Sequence, residues 1–162
     1  MPLSHHVLFA GGGNDTIEAG AGDDQVYGQG GDDIIIAGQG GNNLYDGGGG
    51  NDTINVTLTT AAGLINGGDG NDTLRGLGGN DLLQGGLGAD RLIDTAGRSL
   101  LDGGAGIDTL SYATSTAGVT VNLSNSALNA GGDAQGDSPQ TSSECLALSG
   151  LCHPVSECGQ AV

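Results

Sequence analysis

The stretch Gly67-Gly68-Asp69-Gly70-Asn71-Asp72-Thr73-Leu74 decides how the rest of the chain is read. It has the form G-G-x-G-x-D-x-U, with U a large apolar residue. The same word, complete or worn, recurs through most of the 162 residues. Its Asp falls at Asp15, Asp24, Asp33, Asp52, Asp72, Asp81, Asp90 and Asp108. Its apolar residue follows two places later, at Ile17, Val26, Ile35, Ile54, Leu74, Leu83, Leu92 and Leu110. The spacing settles at nine residues, and a fixed period is the mark of a solenoid.

Each part of the word has a physical role. Glycine reaches positive φ without a Cβ clash, so the glycines permit a tight turn and leave carbonyls uncovered. Asp and Asn tolerate left-handed backbone and brace turns. The remainder is long enough only for a short strand with one inward residue, U. Carbonyls and carboxylates on a bent backbone are hard oxygen donors, which suit Ca²⁺.

Composition narrows the alternatives. Gly is 35 residues, and 19 acidic residues face three Arg and no Lys, for a formal charge of -16. With no Trp and Phe9 as the only Phe, a globular core of ordinary thickness cannot be built. Such composition permits disorder, but a disordered linker need not hold the Asp and U positions in phase. So acidic a surface is a poor partner for nucleic acid. No apolar run approaches the roughly 20 residues of a membrane span. Met1 to Ala10 lacks the charged start and long apolar run of a secretory signal peptide.

Taken in order, the array opens at Ala10, which is expected to mark a fragment or a start within a longer protein. Residues 1–9, with His5 and His6, are expected to be a disordered start. The array runs over 10–110. Asn42 stands in for Asp in the repeat ending at Leu44, Ala62 in the repeat ending at Leu64, and Ser99 in the repeat ending at Leu101. Short strands that alternate sides make a two-sided roll, so turns two repeats apart stack. One edge is expected to hold Asp15, Asp33, Asp52, Asp72, Asp90 and Asp108, and offers about five ion sites between them. The other is expected to hold Asp24, Asn42, Ala62, Asp81 and Ser99, and offers about one, between Asp24 and Asn42. Asp23, Asp32 and Asp69 lie in the turns as helpers or added charge. Arg75, Arg91 and Arg98 offset local charge.

The repeat resembles the RTX, or hemolysin-type, calcium-binding repeats of bacterial proteins exported by type I secretion. The resemblance covers about 10–110 and extends loosely to Asp137. It implies an all-β, parallel β-roll solenoid with several Ca²⁺ ions, about five to six, between stacked turns. It also implies a secreted, extracellular setting. Carried over, the metal would be held by Gly11, Gly13 and Asp15, then by Gly20, Gly22 and Asp24. Gly48, Gly50 and Asp52, then Gly68, Gly70 and Asp72, match the same positions. So do Gly86, Gly88 and Asp90, and Gly104, Gly106 and Asp108. The turns with Gly31 and Asp33, and with Gly79 and Asp81, shift a glycine by one place. Asn42 departs from the motif at its own position.

Beyond Leu110 the pattern changes. Val119, Val121 and Leu123 alternate with polar residues and read as a half-buried strand. With the acidic loop Gly131 to Asp137 they form a β capping segment over 111–137. Residues 138–162 are expected to be a poorly ordered tail, foreign to the array. Cys145, Cys152, His153 and Cys158 lie there at spacings that fit no common zinc pattern. No His-Glu-x-x-His, Gly-x-Ser-x-Gly or phosphate loop occurs, so no enzyme activity is expected of the chain. Two function classes remain. One is a calcium-binding structural module that folds outside the cell as part of a larger secreted toxin, protease, lipase or epimerase. The other is an adhesive surface that binds extracellular glycan. Only Tyr27, Tyr45 and Tyr112 could supply aromatic rings to a glycan, which favours the first.

Overall fold

The computed structural model describes residues 5–56, 63–76, 78–95 and 97–113, with the strands Ser138–Gln140 and Leu146–Ser149. Long and short strands alternate along the chain. They are β1 (Val7–Gly12), β2 (Thr16–Glu18), β3 (Gln25–Gly30), β4 (Ile34–Ile36), β5 (Asn43–Gly49), β6 (Thr53–Asn55) and β7 (Gly63–Asp69). There follow β8 (Thr73–Arg75), β9 (Leu82–Leu87), β10 (Arg91–Ile93), β11 (Leu100–Ala105), β12 (Asp108–Ser111), β13 (Ser138–Gln140) and β14 (Leu146–Ser149). Odd-numbered strands form one sheet and even-numbered strands the other, each with 7 strands in sequential order. Pairing is parallel throughout. The molecule is a parallel β-roll, as the period predicts.

The U residues build the core by stacking in register. Leu8, Val26, Tyr45, Ile65, Leu83 and Leu101 form one row along the first sheet. Ile17, Ile35, Ile54, Leu74, Leu92 and Leu110 form the facing row. Apart from Leu8 and Ile17, which are partly buried, these side chains are at most 2% exposed. Burying each contributes about 1.5–3 kcal/mol, so one such residue per strand makes a thin but continuous core. A second inward row lies two places further along the short strands: Ala19, Ala37, Val56, Gly76, Asp94 and Tyr112. On the long strands the equivalent row is Gly28, Gly47, Gly67, Gly85 and Gly103.

Three expectations need correction. First, Asn43 rather than Asn42 stands in the Asp row, and Tyr45 rather than Leu44 fills the core. Likewise Gly63 takes the place expected of Ala62, and Ile65 that of Leu64. The extra residues of these two repeats are absorbed before the Asp position, not after it. A one-residue slip in a strand exchanges its faces, and the buried residue of each Leu-Tyr or Leu-Ile pair is the second. Second, the roll begins at Val7 rather than Ala10, because Leu8 sits nine residues before Ile17 and fills one more core position. Third, 138–162 is not wholly outside the roll: β13 pairs with β11 and β14 with β12. The open end of a parallel roll presents unpaired backbone groups, and an extended segment can satisfy them whatever its side chains. Ala62, the Val119–Leu123 strand, the acidic loop at 131–137 and the cluster of Cys145, Cys152, His153 and Cys158 lie outside the described residues.

Candidate metal centre

The turns of one edge stack through their aspartates. The Asp15 backbone N–H donates to Asp33 Oδ1 at 2.8 Å, and Asp33 N–H to Asp52 Oδ1 at 2.7 Å. Asp52 donates to Asp72 at 2.7 Å, Asp72 to Asp90 at 2.8 Å, and Asp90 to Asp108 at 2.9 Å. One oxygen of each carboxylate therefore braces the preceding turn. An outer ladder runs beside it. Asn14 Oδ1 accepts from Asp32 N–H, Asp32 Oδ1 from Asn51 N–H, Asn51 Oδ1 from Asn71 N–H, and Asn71 Oδ1 from Ala89 N–H. Asp32 thus braces turns at the surface, and its hydrogen bonds from Asn51 hold its carboxyl below the usual range.

The second carboxylate oxygens point the other way. Oδ2 of Asp33, Asp52, Asp72 and Asp90 is buried without a hydrogen-bond partner. Leaving such charge buried is costly, and stacked like charges add to the cost. Burial, then repulsion from Asp90 and Asp52, pushes the Asp72 carboxyl up to about 6. Burial also raises Asp52 and Asp90. These oxygens face the row of first glycines. A Cβ on Gly47 would overlap Asp52 Oδ2 and lie 2.6 Å from the Gly67 carbonyl oxygen. A Cβ on Gly67 would likewise meet Asp72 Oδ2 and the Gly85 carbonyl, and one on Gly85 would meet Asp90 Oδ2 and the Gly103 carbonyl. The missing side chains leave a cradle walled by a carboxylate oxygen and a carbonyl oxygen from successive turns. Among the described residues no three His, Cys, Asp or Glu side chains gather to hold an ion. Carboxylate and backbone carbonyl oxygens together make a donor set of hard oxygens that fits Ca²⁺.

The backbone of this edge is uniform. Glycines four and two places before each Asp hold positive φ: Gly11 and Gly13, Gly48 and Gly50, Gly68 and Gly70, Gly86 and Gly88, Gly104 and Gly106. In the turn before Asp33 the second of these is Gly31, at φ 116°, and the first is Gln29, at φ 80°. The other edge is built differently. Gly20 and Gly22 before Asp24 keep the pattern, but Gly40 and Gly41 before Asn43, and Gly78 and Gly79 before Asp81, are adjacent. Its row runs from His6 through Asp24, Asn43, Gly63 and Asp81 to Ser99. His6 donates its backbone N–H to Asp24 Oδ1, and its ring Nδ1 lies 3.0 Å from the same atom. Asn42 belongs to the outer ladder, where its N–H donates to Asp23 Oδ1. Beside Gly63, which has no side chain to contribute to the row, a cleft of about 570 Å³ opens, lined among others by Asp24, Asn43, Asp81 and Arg98.

The structure thus gathers Asp15, Asp33, Asp52, Asp72, Asp90 and Asp108 on one edge, and separates Asn42 from the row it was expected to join. Sequence reasoning missed the carbonyls of Gly67, Gly85 and Gly103, the first glycines of their turns. The signal was present, since glycine recurs there five places before each Asp from Asp33 onward on this edge. Their importance lies in which atoms they face across the stack, which spacing does not show.

A family model described as the RTX calcium-binding nonapeptide repeat matches the chain in four copies, over residues 9–44, 35–54, 61–92 and 84–112. No curated protein and no solved structure matches it.

Proposed function

The chain belongs to the RTX calcium-binding nonapeptide repeat family, and from that premise we propose that it is a module of a larger secreted protein, folding on Ca²⁺ outside the cell. The observation that carries this reading is the row of buried, unpartnered Oδ2 atoms on Asp33, Asp52, Asp72 and Asp90, each beside a carbonyl of the next turn. Bound Ca²⁺ would supply the positive charge that lets these carboxylates stay ionised while buried. The protein's own part is to hold Oδ1 in the turn ladder, which aims Oδ2 into the cradle. One ion between each stacked pair gives about five on this edge. At low Ca²⁺ the carboxylates repel one another and the thin core cannot compensate. At high Ca²⁺ the binding energy becomes folding energy. The module is not itself catalytic. It reaches the outside through the type I secretion apparatus that handles its parent, which is of toxin, protease, lipase or epimerase type.

Circular dichroism tests this directly. The chain should be coil-like in EDTA and gain β signal in millimolar Ca²⁺, while Mg²⁺, which demands a smaller octahedral shell, substitutes poorly. Equal β content in EDTA and in Ca²⁺ would refute the reading.

A second reading, as a glycan-binding surface, draws on one observation. The exposed ring of Phe9 stacks on the half-buried ring of Tyr27, with centroids 5.0 Å apart and 11° between planes. Tyr45 and Tyr112 are buried and unavailable to a sugar. The small size of this platform makes it the weaker reading, and a glycan array with and without Ca²⁺ separates the two.

A further inference from the structure

On the worn edge one repeat has lost its Asp to Ser99, yet a carboxylate is present five places earlier. Asp94 stands in the inward row that on the short strands otherwise holds Ala19, Ala37, Val56, Gly76 and Tyr112. On the complete edge the equivalent position from Asp33 onward is a glycine that offers only its carbonyl: Gly28, Gly47, Gly67, Gly85 and Gly103. Asp94 is 0% exposed, so its carboxyl is taken fully out of water. Directly below it in the stack is Gly76, whose N–H donates to the Ile93 carbonyl at 3.0 Å.

The space beside Gly76 repeats the cradle of the complete edge with one substitution. A Cβ on Gly76 would lie 2.9 Å from Asp81 Oδ2 and 3.4 Å from Asp94 Oδ1. At Gly67 the corresponding neighbours are Asp72 Oδ2 and the Gly85 carbonyl oxygen. A carboxylate oxygen has taken the place of a carbonyl oxygen. Asp81 is 2% exposed, and its Oδ2 points into this space without a hydrogen-bond partner. Its Oδ1 is committed elsewhere, accepting the Gly63 N–H at 2.9 Å. Ser99 Oγ lies 3.4 Å from the Asp81 backbone N–H, at the end of the same row. The same space is closed on one side by Leu83 Cδ1. A cation in this space would let both carboxylates that flank it stay ionised while buried.

We propose that Asp81 and Asp94, with Ser99 beside them, form an additional Ca²⁺ site on the worn edge, outside the repeat motif. The carboxylate lost at Ser99 is supplied from the first-glycine position of the same turn. The proposal rests on the calcium reading above, and the test keeps the two apart. Asp94→Gly introduces the residue that Gly76 and the equivalent turns of the complete edge carry, so the fold should tolerate it. Ions bound per chain are counted by calorimetry in wild type and variant, with β content followed by circular dichroism. Asp94→Gly should bind one ion fewer than wild type while keeping its Ca²⁺-dependent β signal. Asp94→Asn, which keeps the shape and removes the charge, should weaken one site by about tenfold or more. The double variant Asp94→Gly/Ser99→Asp should recover the ion by returning the carboxylate to the motif position. An unchanged ion count in Asp94→Gly overturns the proposal, as does undiminished affinity at every site in Asp94→Asn. A wild-type chain that binds no Ca²⁺ would sink the calcium reading itself.

Discussion

At the scale of single residues, Gln29 shows how strongly the stack dictates backbone. It is paired in register between Gly11 and Gly48, both at positive φ, and adopts φ 80° itself. An L-residue held in left-handed backbone costs roughly 1–2 kcal/mol. Its side chain is exposed and covers none of the core. Gln29→Gly relieves that strain and returns part of the gain as extra freedom of the unfolded chain, about 0.5–1 kcal/mol. The net expectation is a stabilisation of about 1 kcal/mol, seen as a melting temperature raised by a few degrees in saturating Ca²⁺. An unchanged or lowered melting temperature would show that the Gln29 side chain contributes something its exposure conceals. The paired oxygens of each Asp make a related point. Composition reveals an acidic chain, but only the stack divides the carboxylates of Asp33, Asp52, Asp72 and Asp90 into an Oδ1 that braces a turn and an Oδ2 that faces the cradle.

At the scale of the strand and its turn, the two edges differ in backbone as well as side chains. The complete edge places its glycines alternately, whereas the turns before Asn43 and Asp81 place them together. A substitution can separate position from register here. Asn43→Asp puts a carboxylate in the row directly above Asp24, whose N–H already donates to Asn43 Oδ1 at 2.7 Å. It should increase the number of Ca²⁺ ions bound by one. Asn42→Asp changes only the outer ladder and should leave the count unaltered. The opposite ranking, read by the same calorimetric titration, would restore the register expected from the sequence. That register slipped for a physical reason. Counting nine forward from Asp33 reaches Asn42, while counting nine back from Asp52 reaches Asn43. Both Leu44 and Tyr45 are apolar, as are Leu64 and Ile65, so hydropathy does not choose between the two counts. The choice is made by burial: Tyr45 and Ile65 face the core, and Leu44 and Leu64 pair with one another on the outer face. Where the period is unbroken, from Asp72 to Leu110, the sequence positions and the rows coincide. Asp94 escaped notice because it sits at a position where the motif has glycine, and no count of Asp in phase includes it.

At the scale of the whole molecule, a chain with a formal charge of -16 is held by a core only one residue thick per strand, which does not tie one end of the roll to the other. Each turn touches only its neighbours, so stability is a sum of local terms and is lowest where a neighbour is missing. The N-terminal end shows this in its burial: Leu8 and Ile17 are only partly buried, while Val26 and Ile35 are 0% exposed. At the other end β13 and β14 extend both sheets beyond β11 and β12, covering edges that would otherwise stand open. Hydrogen exchange in saturating Ca²⁺ should therefore rank the core positions by distance from the ends. Ile54, Ile65, Leu74 and Leu83 should exchange slowest and Leu8 and Ile17 fastest, because local opening at an end breaks one interface and opening in the middle breaks two. Deleting residues 138–162 should speed exchange at Leu101 and Leu110 and leave the middle of the roll and its ion count unchanged. Two results would contradict this picture. Equal protection at Ile17 and Leu74 would mean that the roll opens only as one unit. Loss of folding on deletion would make β13 and β14 an obligatory cap rather than a cover for a free edge.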